Sequence, residues 1–130
     1  MKKDKNFTYA IVGLVAVIII GLIGWKMYDN SRPSALDGFA SCLGEKGAKF
    51  YGAFWCPHCQ AQKKLFDKSV DKLPYVECST ADGKSQLPVC TEQKVESYPT
   101  WIFADGTRLN GEQDLDELAE KTDCQLPEGF

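Results

Sequence analysis

The sequence predicts an α/β fold, a central mixed sheet of about four strands flanked by helices, preceded by one N-terminal transmembrane helix. Three observations carry this expectation. Residues 9–25 are apolar without a single charge, in a stretch long enough to enter a bilayer core. Beyond them, strand-like and helix-like apolar patterns alternate in the order βα, then β, α, ββ, α. At the first strand-to-helix change stand Cys56-Pro57-His58-Cys59, two thiols one helical turn apart.

The apolar stretch extends from residue 7 to residue 28 with only Lys26 charged, and about 20 helical residues cross a bilayer core. Tyr9, Trp25 and Tyr28 fall where interfacial aromatics are expected. A cleavable signal peptide would show an apolar core of about 7–15 residues and a small-residue cleavage site. Here the stretch is longer and Pro33-Ser34-Ala35 imitates such a site poorly, which favours a retained anchor. Lys2, Lys3 and Lys5 precede the span, so the positive-inside rule keeps the N-terminus in the cytoplasm and exports the residues beyond the span. The expected organisation is a cytoplasmic N-terminus at 1–8, an anchor at 9–28, a polar linker at 29–34 and a folded domain at 35–130.

Within that domain, residues 35–44 share an apolar face through Leu36, Phe39, Ala40 and Leu43, and Gly44 and Gly47 end this first helix. Residues 49–55 (KFYGAFW) read as a buried strand. A long helix is predicted from Pro57 to about Leu73, with Leu65, Phe66, Val70 and Leu73 inward and Pro74 as its stop. Residues 75–78 make a short strand, 79–86 a polar loop, and 88–95 one or two helical turns. Residues 100–104 and 107–109 form a hairpin about Asp105-Gly106. Asp114 is the expected N-cap of a last helix, with Glu117 at the capping-box position and Leu115, Leu118 and Ala119 inward.

Charge is unevenly distributed. The first 33 residues hold five basic and two acidic side chains, the remainder ten and sixteen. An acidic domain without a basic patch argues against a nucleic-acid partner. All six cysteines, Cys42, Cys56, Cys59, Cys78, Cys90 and Cys124, lie beyond the apolar span. An even number in an exported domain fits three disulfides or switchable pairs, and six cysteines allow 15 connectivities.

The tetrapeptide suggests redox chemistry. A strand running into a helix places Cys56 at the helix start, where unpaired N–H groups and the dipole stabilise a thiolate. Pro57 suits the first helical position because its missing N–H costs nothing there. His58 can add positive charge beside the sulfur. The same CxxC spacing also serves zinc, but no second CxxC or HxxxH accompanies it, so no metal site is expected.

WCPHC between strand and helix, followed about 40 residues later by Ser97-Tyr98-Pro99-Thr100-Trp101, the hairpin at 103–107 and Gly111 before a last amphipathic helix, resembles the thioredoxin superfamily over roughly residues 35–124. The resemblance implies a thioredoxin-like fold and a cis peptide at Pro99, which would lie against the active disulfide with Tyr98 contacting the client's cysteine. A trans proline merely opening a strand is the plainer alternative. Residues 51–59 (YGAFWCPHC), 75–78 (YVEC) and 98–101 (YPTW) are closest to the thioredoxin-like domain associated with bacterial vitamin K epoxide reductase homologues, and CPHC is also the arrangement of DsbA-like oxidases. These likenesses imply a protein thiol-disulfide oxidoreductase in the bacterial cytoplasmic membrane, single-pass, with its domain extracytoplasmic. It would oxidise cysteine-containing exported proteins and be recharged by a quinone-linked, vitamin K epoxide reductase-like membrane protein. One departure stands out: thioredoxins carry a buried acid six residues before the first active cysteine, and Phe50 occupies that position.

The residue roles are expectations at this point. Cys56 is the exposed attacking or attacked sulfur and Cys59 the buried resolving one. Cys78 with Cys90 would close a short loop, and Cys42 with Cys124 would bridge two helix ends at the pole opposite the active site, both as structural disulfides. Cys78 and Cys90 could instead relay electrons to the active pair. Trp55 packs beside the active disulfide and contributes to substrate binding, Trp101 fills the sheet core, and neither suggests a cofactor. A reductase or isomerase, or a thiol-binding assembly factor without turnover, are the other functions compatible with the pattern.

Overall fold

The computed structural model describes residues 5–31 and 33–130, without the side chain of Asn30. It falls into two units, divided after Pro33. The first holds helix α1, Lys5–Asn30, whose side chains from Lys5 to Asp29 are exposed. Lys5–Asp29 contains an 18-residue window with a mean hydropathy of 2.5, and is long and apolar enough to cross a membrane. Asp29 and Asn30, expected in the linker, belong to this helix. Lys2, Lys3 and Arg32, which bear on the orientation and the linker, lie outside the described residues.

The second unit is built on a four-stranded sheet in the order β2-β1-β3-β4. Strand β1 is Lys49–Gly52, β2 Tyr75–Glu77, β3 Thr100–Ile102 and β4 Arg108–Asn110. β1 runs parallel to β2, with Gly52 opposite Glu77, and antiparallel to β3, with Phe50 opposite Trp101. β3 and β4 form the expected hairpin, closed by Gly106 at φ +79°, a backbone conformation that glycine adopts without steric cost. Helices α2 (Asp37–Glu45), α3 (Pro57–Lys64), α4 (Pro88–Glu92) and α5 (Leu115–Thr122) complete the unit. This is the mixed sheet flanked by helices that the pattern predicts.

The core forms where α2, α3 and α5 bring apolar faces onto the sheet. Leu36, Phe39, Leu43, Phe50, Phe66, Trp101 and Leu118 are all buried there. Phe50 stacks on Trp101 at 4.9 Å between centroids, and Phe39 on Phe66 at 6.0 Å. Burying an aromatic or aliphatic side chain of this size stabilises the fold by about 1.5–3 kcal/mol.

Four local expectations are corrected. The strand predicted over 49–55 ends at Gly52, and Phe54 and Trp55 turn outward at 47 % and 53 % exposure. The long helix predicted from Pro57 to Leu73 breaks after Lys64 and resumes as a 3-10 helix, Asp67–Lys72. Asp67 makes the break at φ +45°, a left-handed conformation that aspartate tolerates better than most residues. Leu65, expected inward, is exposed, and Ser69 is buried, because its hydroxyl donates to Asp37 Oδ1 on α2 at 2.8 Å. Asp114 occupies the N-cap of α5 but makes no side-chain capping bond, so the expected capping box is not formed.

Candidate active site

The site is assembled where β1 leads into α3. After Gly52 the chain leaves the sheet, and Cys56 takes the N-cap position of α3 with extended backbone, φ −76° and ψ 120°. Pro57 sits in the first turn, where no N–H is needed. A helix start leaves its first N–H groups without intrahelical partners, and these face the residue that caps it. Cys59, one turn on, points into the core with no exposed surface. Both thiols are free.

Cys56 was expected to be exposed, and this is corrected: it is only 5 % accessible. The covering segment is the one before β3. The Tyr98–Pro99 peptide is cis, Pro99 is buried, and the Cys56 thiol donates to the Tyr98 carbonyl at 3.8 Å. Trp55 meets the Tyr98 ring edge-on at 6.1 Å, and its indole N–H donates to Ser79 Oγ at 2.9 Å. Of the two cysteines Cys56 is the one that keeps some solvent-accessible surface.

Cys59 lies against the sheet. A Cβ added at Gly52 would come 2.8 Å from its sulfur and 3.0 Å from Cε2 of Tyr75, so only glycine leaves room for sulfur and ring at this point. Burial pushes the Cys59 thiol up to about 12, and the neighbouring Cys56 adds to this. A hydrogen bond from the Ala53 backbone and the charge of Lys63 act in the opposite direction. A thiol in this position stays protonated near neutrality and is a poor nucleophile until its proton is removed.

A polar group borders this wall. Tyr75 donates its hydroxyl to Glu77 Oε2 at 2.7 Å, and Lys63 Nζ stands 3.4 Å from the centre of the Tyr75 ring. Burial, and then the bond to Glu77, hold the Tyr75 phenol well above its usual range. Glu77 Oε1 accepts the backbone N–H groups of Ser79 at 2.8 Å and Phe54 at 3.3 Å. Phe50, at the position where an acid would stand, is fully buried and stacked in the core.

His58 is on the outer face of α3, and its Nδ1 lies 2.6 Å from Glu112 Oε1. Glu112 was not among the residues that sequence reasoning singled out. Neither was Gln62, fully buried, which takes the Gln113 N–H on Oε1 at 2.7 Å and donates Nε2–H to the Gln113 carbonyl at 3.0 Å. Its sequence signal is a polar residue on the inward stripe of α3, three residues after Cys59. His58, the partner of Glu112, lies 54 positions from it, and Gln113 lies 51 positions from Gln62.

The other cysteines are paired away from the redox tetrapeptide. Cys42 joins Cys124, linking α2 to the end of α5, and Cys78 joins Cys90, linking the end of β2 to α4. The second bridge closes the loop 79–87, and Ser79, Gly83, Lys84, Ser85 and Gln86 of that loop line a cavity of about 200 Å³ together with Trp55 and Tyr98. Gln86 Nε2 donates to the Tyr98 hydroxyl at 2.6 Å, fixing the ring at the cavity's edge. Among the described residues, no three or more of His, Cys, Asp and Glu gather as a metal cage would require.

Comparison with known proteins agrees with this geometry. The thioredoxin family model matches residues 48–123. The chain is 43 % identical over 105 residues to thiol-disulfide oxidoreductase LTO1 of Arabidopsis thaliana, covering 78 % of this chain and 27 % of that protein. It is 34 % identical over 97 residues to a thioredoxin domain-containing protein 5 homolog of Drosophila melanogaster, covering 63 % of this chain and 22 % of that protein. Protein disulfide-isomerase 5-1 of Arabidopsis thaliana is 27 % identical over 90 residues, 62 % of each chain. The chain thus spans about a quarter of the first two relatives and less than two thirds of the third.

Proposed function

The chain belongs to the thioredoxin family, and from that premise we propose that it is a membrane-anchored thiol-disulfide oxidoreductase that introduces disulfides into exported proteins. The observation that carries this reading is the asymmetry of the pair: Cys56 caps α3 with an accessible edge under the cis Tyr98–Pro99 peptide, and Cys59 is sealed behind it.

In the oxidised enzyme a client thiolate attacks Cys56 Sγ. The Cys56–Cys59 bond breaks, its electron pair goes to Cys59 Sγ, and Cys59 takes up a proton. A second client thiolate attacks the client sulfur of the mixed disulfide, and Cys56 departs as a thiolate. The client has lost two electrons and two protons, and the pair has gained the electrons. A helix start stabilises negative charge on a departing sulfur at its N-cap, where Cys56 stands, and this favours the reduced enzyme, the condition for an oxidant.

The apolar segment 9–28 serves as the anchor, with residues 1–8 in the cytoplasm and the domain from about residue 35 outside a bacterial cytoplasmic membrane. The pair is returned to the disulfide by a vitamin K epoxide reductase-like membrane protein that passes electrons to quinone, and the tether raises the local concentration for that meeting. His58 and Pro57 tune Cys56, Pro99, Tyr98 and Trp55 contact the client, and the bridges Cys42–Cys124 and Cys78–Cys90 are structural. The similarity to a protein disulfide-isomerase favours isomerisation as the second reading.

The deciding experiment is the reduction potential of the full chain, with Cys59→Ala used to trap clients as mixed disulfides on Cys56. A value toward that of DsbA, about −120 mV, is expected; a value near that of thioredoxin, about −270 mV, reverses the direction of electron flow.

A further inference from the structure

Opening the disulfide leaves a negative charge on Cys59 in a place that water does not reach. The sulfur has no exposed surface, and Phe50, Ala53 and Gly52 around it are buried. Three titratable groups face it: Cys56 from the N-cap of α3, Lys63 from the next turn of that helix, and Tyr75 from β2, with Glu77 behind the Tyr75 hydroxyl. Cys56 is the sulfur under attack. Tyr75 holds its proton firmly and already donates it to Glu77, and Glu77 is occupied by that hydroxyl and two backbone N–H groups. Lys63 remains.

Lys63 is four residues after Cys59 on α3, so the two side chains lie on the same helical face. Its ammonium is seated over the Tyr75 ring at 3.4 Å, and the Cε2 edge of that ring borders the same Gly52 position as the Cys59 sulfur. An ammonium over an aromatic face is attracted by the ring quadrupole, which holds it on the wall of the thiol's chamber. Lys63 is also half-buried, open enough to exchange protons with solvent.

We propose that Lys63 is the proton donor to Cys59, and that Tyr75, oriented by Glu77, is the residue that positions it. The inference rests on the oxidoreductase reading above. As a client thiolate bonds to Cys56 Sγ and the Cys56–Cys59 bond breaks, the electron pair settles on Cys59 Sγ and a proton passes to it from Lys63 Nζ. The neutral amine then takes a proton from water. During recharging the transfer runs backwards, and neutral Lys63 removes the Cys59 proton so that the resolving sulfur can attack. An ammonium can protonate this sulfur because burial makes the thiolate the stronger base.

The test is the rate at which dithiothreitol opens the oxidised Cys56–Cys59 bond, per dithiothreitol thiolate, in the full chain and in Lys63→Met, Lys63→Arg and Lys64→Met, across neutral to alkaline pH. Positioned proton transfer contributes about 10²–10⁴-fold, so Lys63→Met should be slowed at least 100-fold. Its rate should lack the alkaline decline expected of the wild type and recover in part with methylamine. Lys63→Arg keeps the charge but has no proton to give, and should stay as slow as Lys63→Met; exposed Lys64→Met should match the wild type. Full speed in Lys63→Met, or in Lys63→Arg, overturns the proposal. A wild-type chain inert to dithiothreitol overturns the oxidoreductase reading, and this inference with it. Near-UV circular dichroism of Lys63→Arg guards against misfolding as the cause of a loss.

Discussion

Gln62 holds Gln113 by both ends of its amide, accepting the backbone N–H at 2.7 Å and donating to the carbonyl at 3.0 Å. A side chain on α3 thereby does what a neighbouring strand would do for the segment that leads from β4 to α5. The same Oε1 accepts the Trp101 indole N–H at 3.4 Å, so the helix that carries the redox pair is tied to the sheet core and to the last helix. Gln62→Leu leaves these groups buried without partners, each costing about 1–3 kcal/mol. We expect a loss of about 2–5 kcal/mol, read as a lower urea midpoint with an unchanged denaturant slope.

The two disulfide bridges should differ in their contribution to stability. Cys42–Cys124 spans 82 positions and Cys78–Cys90 spans 12. The chain-entropy relation gives about 4.5 kcal/mol for the first and about 3 kcal/mol for the second. Paired Cys→Ala variants, with the redox pair intact, should follow that order in urea unfolding. Equal losses would show that strain or unfolded-state structure dominates.

Stability of the reduced protein should fall in alkali more steeply than that of the oxidised protein. The Cys59 thiol is pushed up to about 12 by burial, from 9.0 in the unfolded chain. Above about pH 9 the unfolded state therefore binds fewer protons than the native one, and stability present below that pH is lost as the pH rises toward 12. In the disulfide form Cys59 has no proton to lose. Tyr75, also held protonated, contributes alkaline instability to both forms and cancels in the difference. Urea midpoints of both redox forms at pH 8 and pH 10.5 measure it.

His58 and Glu112 form an exposed pair beside Cys56, so they contribute little to folding, under about 1 kcal/mol. Their effect should appear in the redox equilibrium. Glu112→Gln removes the negative charge that faces the His58 ring and should shift the glutathione equilibrium roughly threefold toward the reduced enzyme, about 15 mV. His58→Ala should shift it the other way, and the double variant should match His58→Ala alone. Additive shifts would mean that the two residues act on Cys56 separately.

Much of the fold was legible because short-range chemistry encodes it. Apolar periodicity marked the strands and helices, Pro57 and Asp105-Gly106 marked a helix start and a turn, and the tetrapeptide 56–59 singled out the two cysteines that the fold leaves unpaired. What escaped depends on partners far along the chain. Periodicity left Leu65 on the wrong side and did not single out Ser69, which is buried where its hydroxyl meets Asp37, 32 positions earlier. Composition made residues 53–55 look like strand, yet the chain must leave the sheet there to swing Cys56 onto the start of α3.

The sequence by itself determined that this chain has an apolar span, an alternating α/β domain and a helix-start thiol pair, since each is written in residue type and spacing. Only the tertiary structure decided that Cys56 lies under Tyr98 and Pro99, that His58 meets Glu112, that Gln62 clasps Gln113, and that Lys63 and Tyr75 wall in Cys59. Period tells a side chain whether it faces inward; which group it meets there is set by how elements separated by tens of residues pack, and burial then gives each meeting its energy.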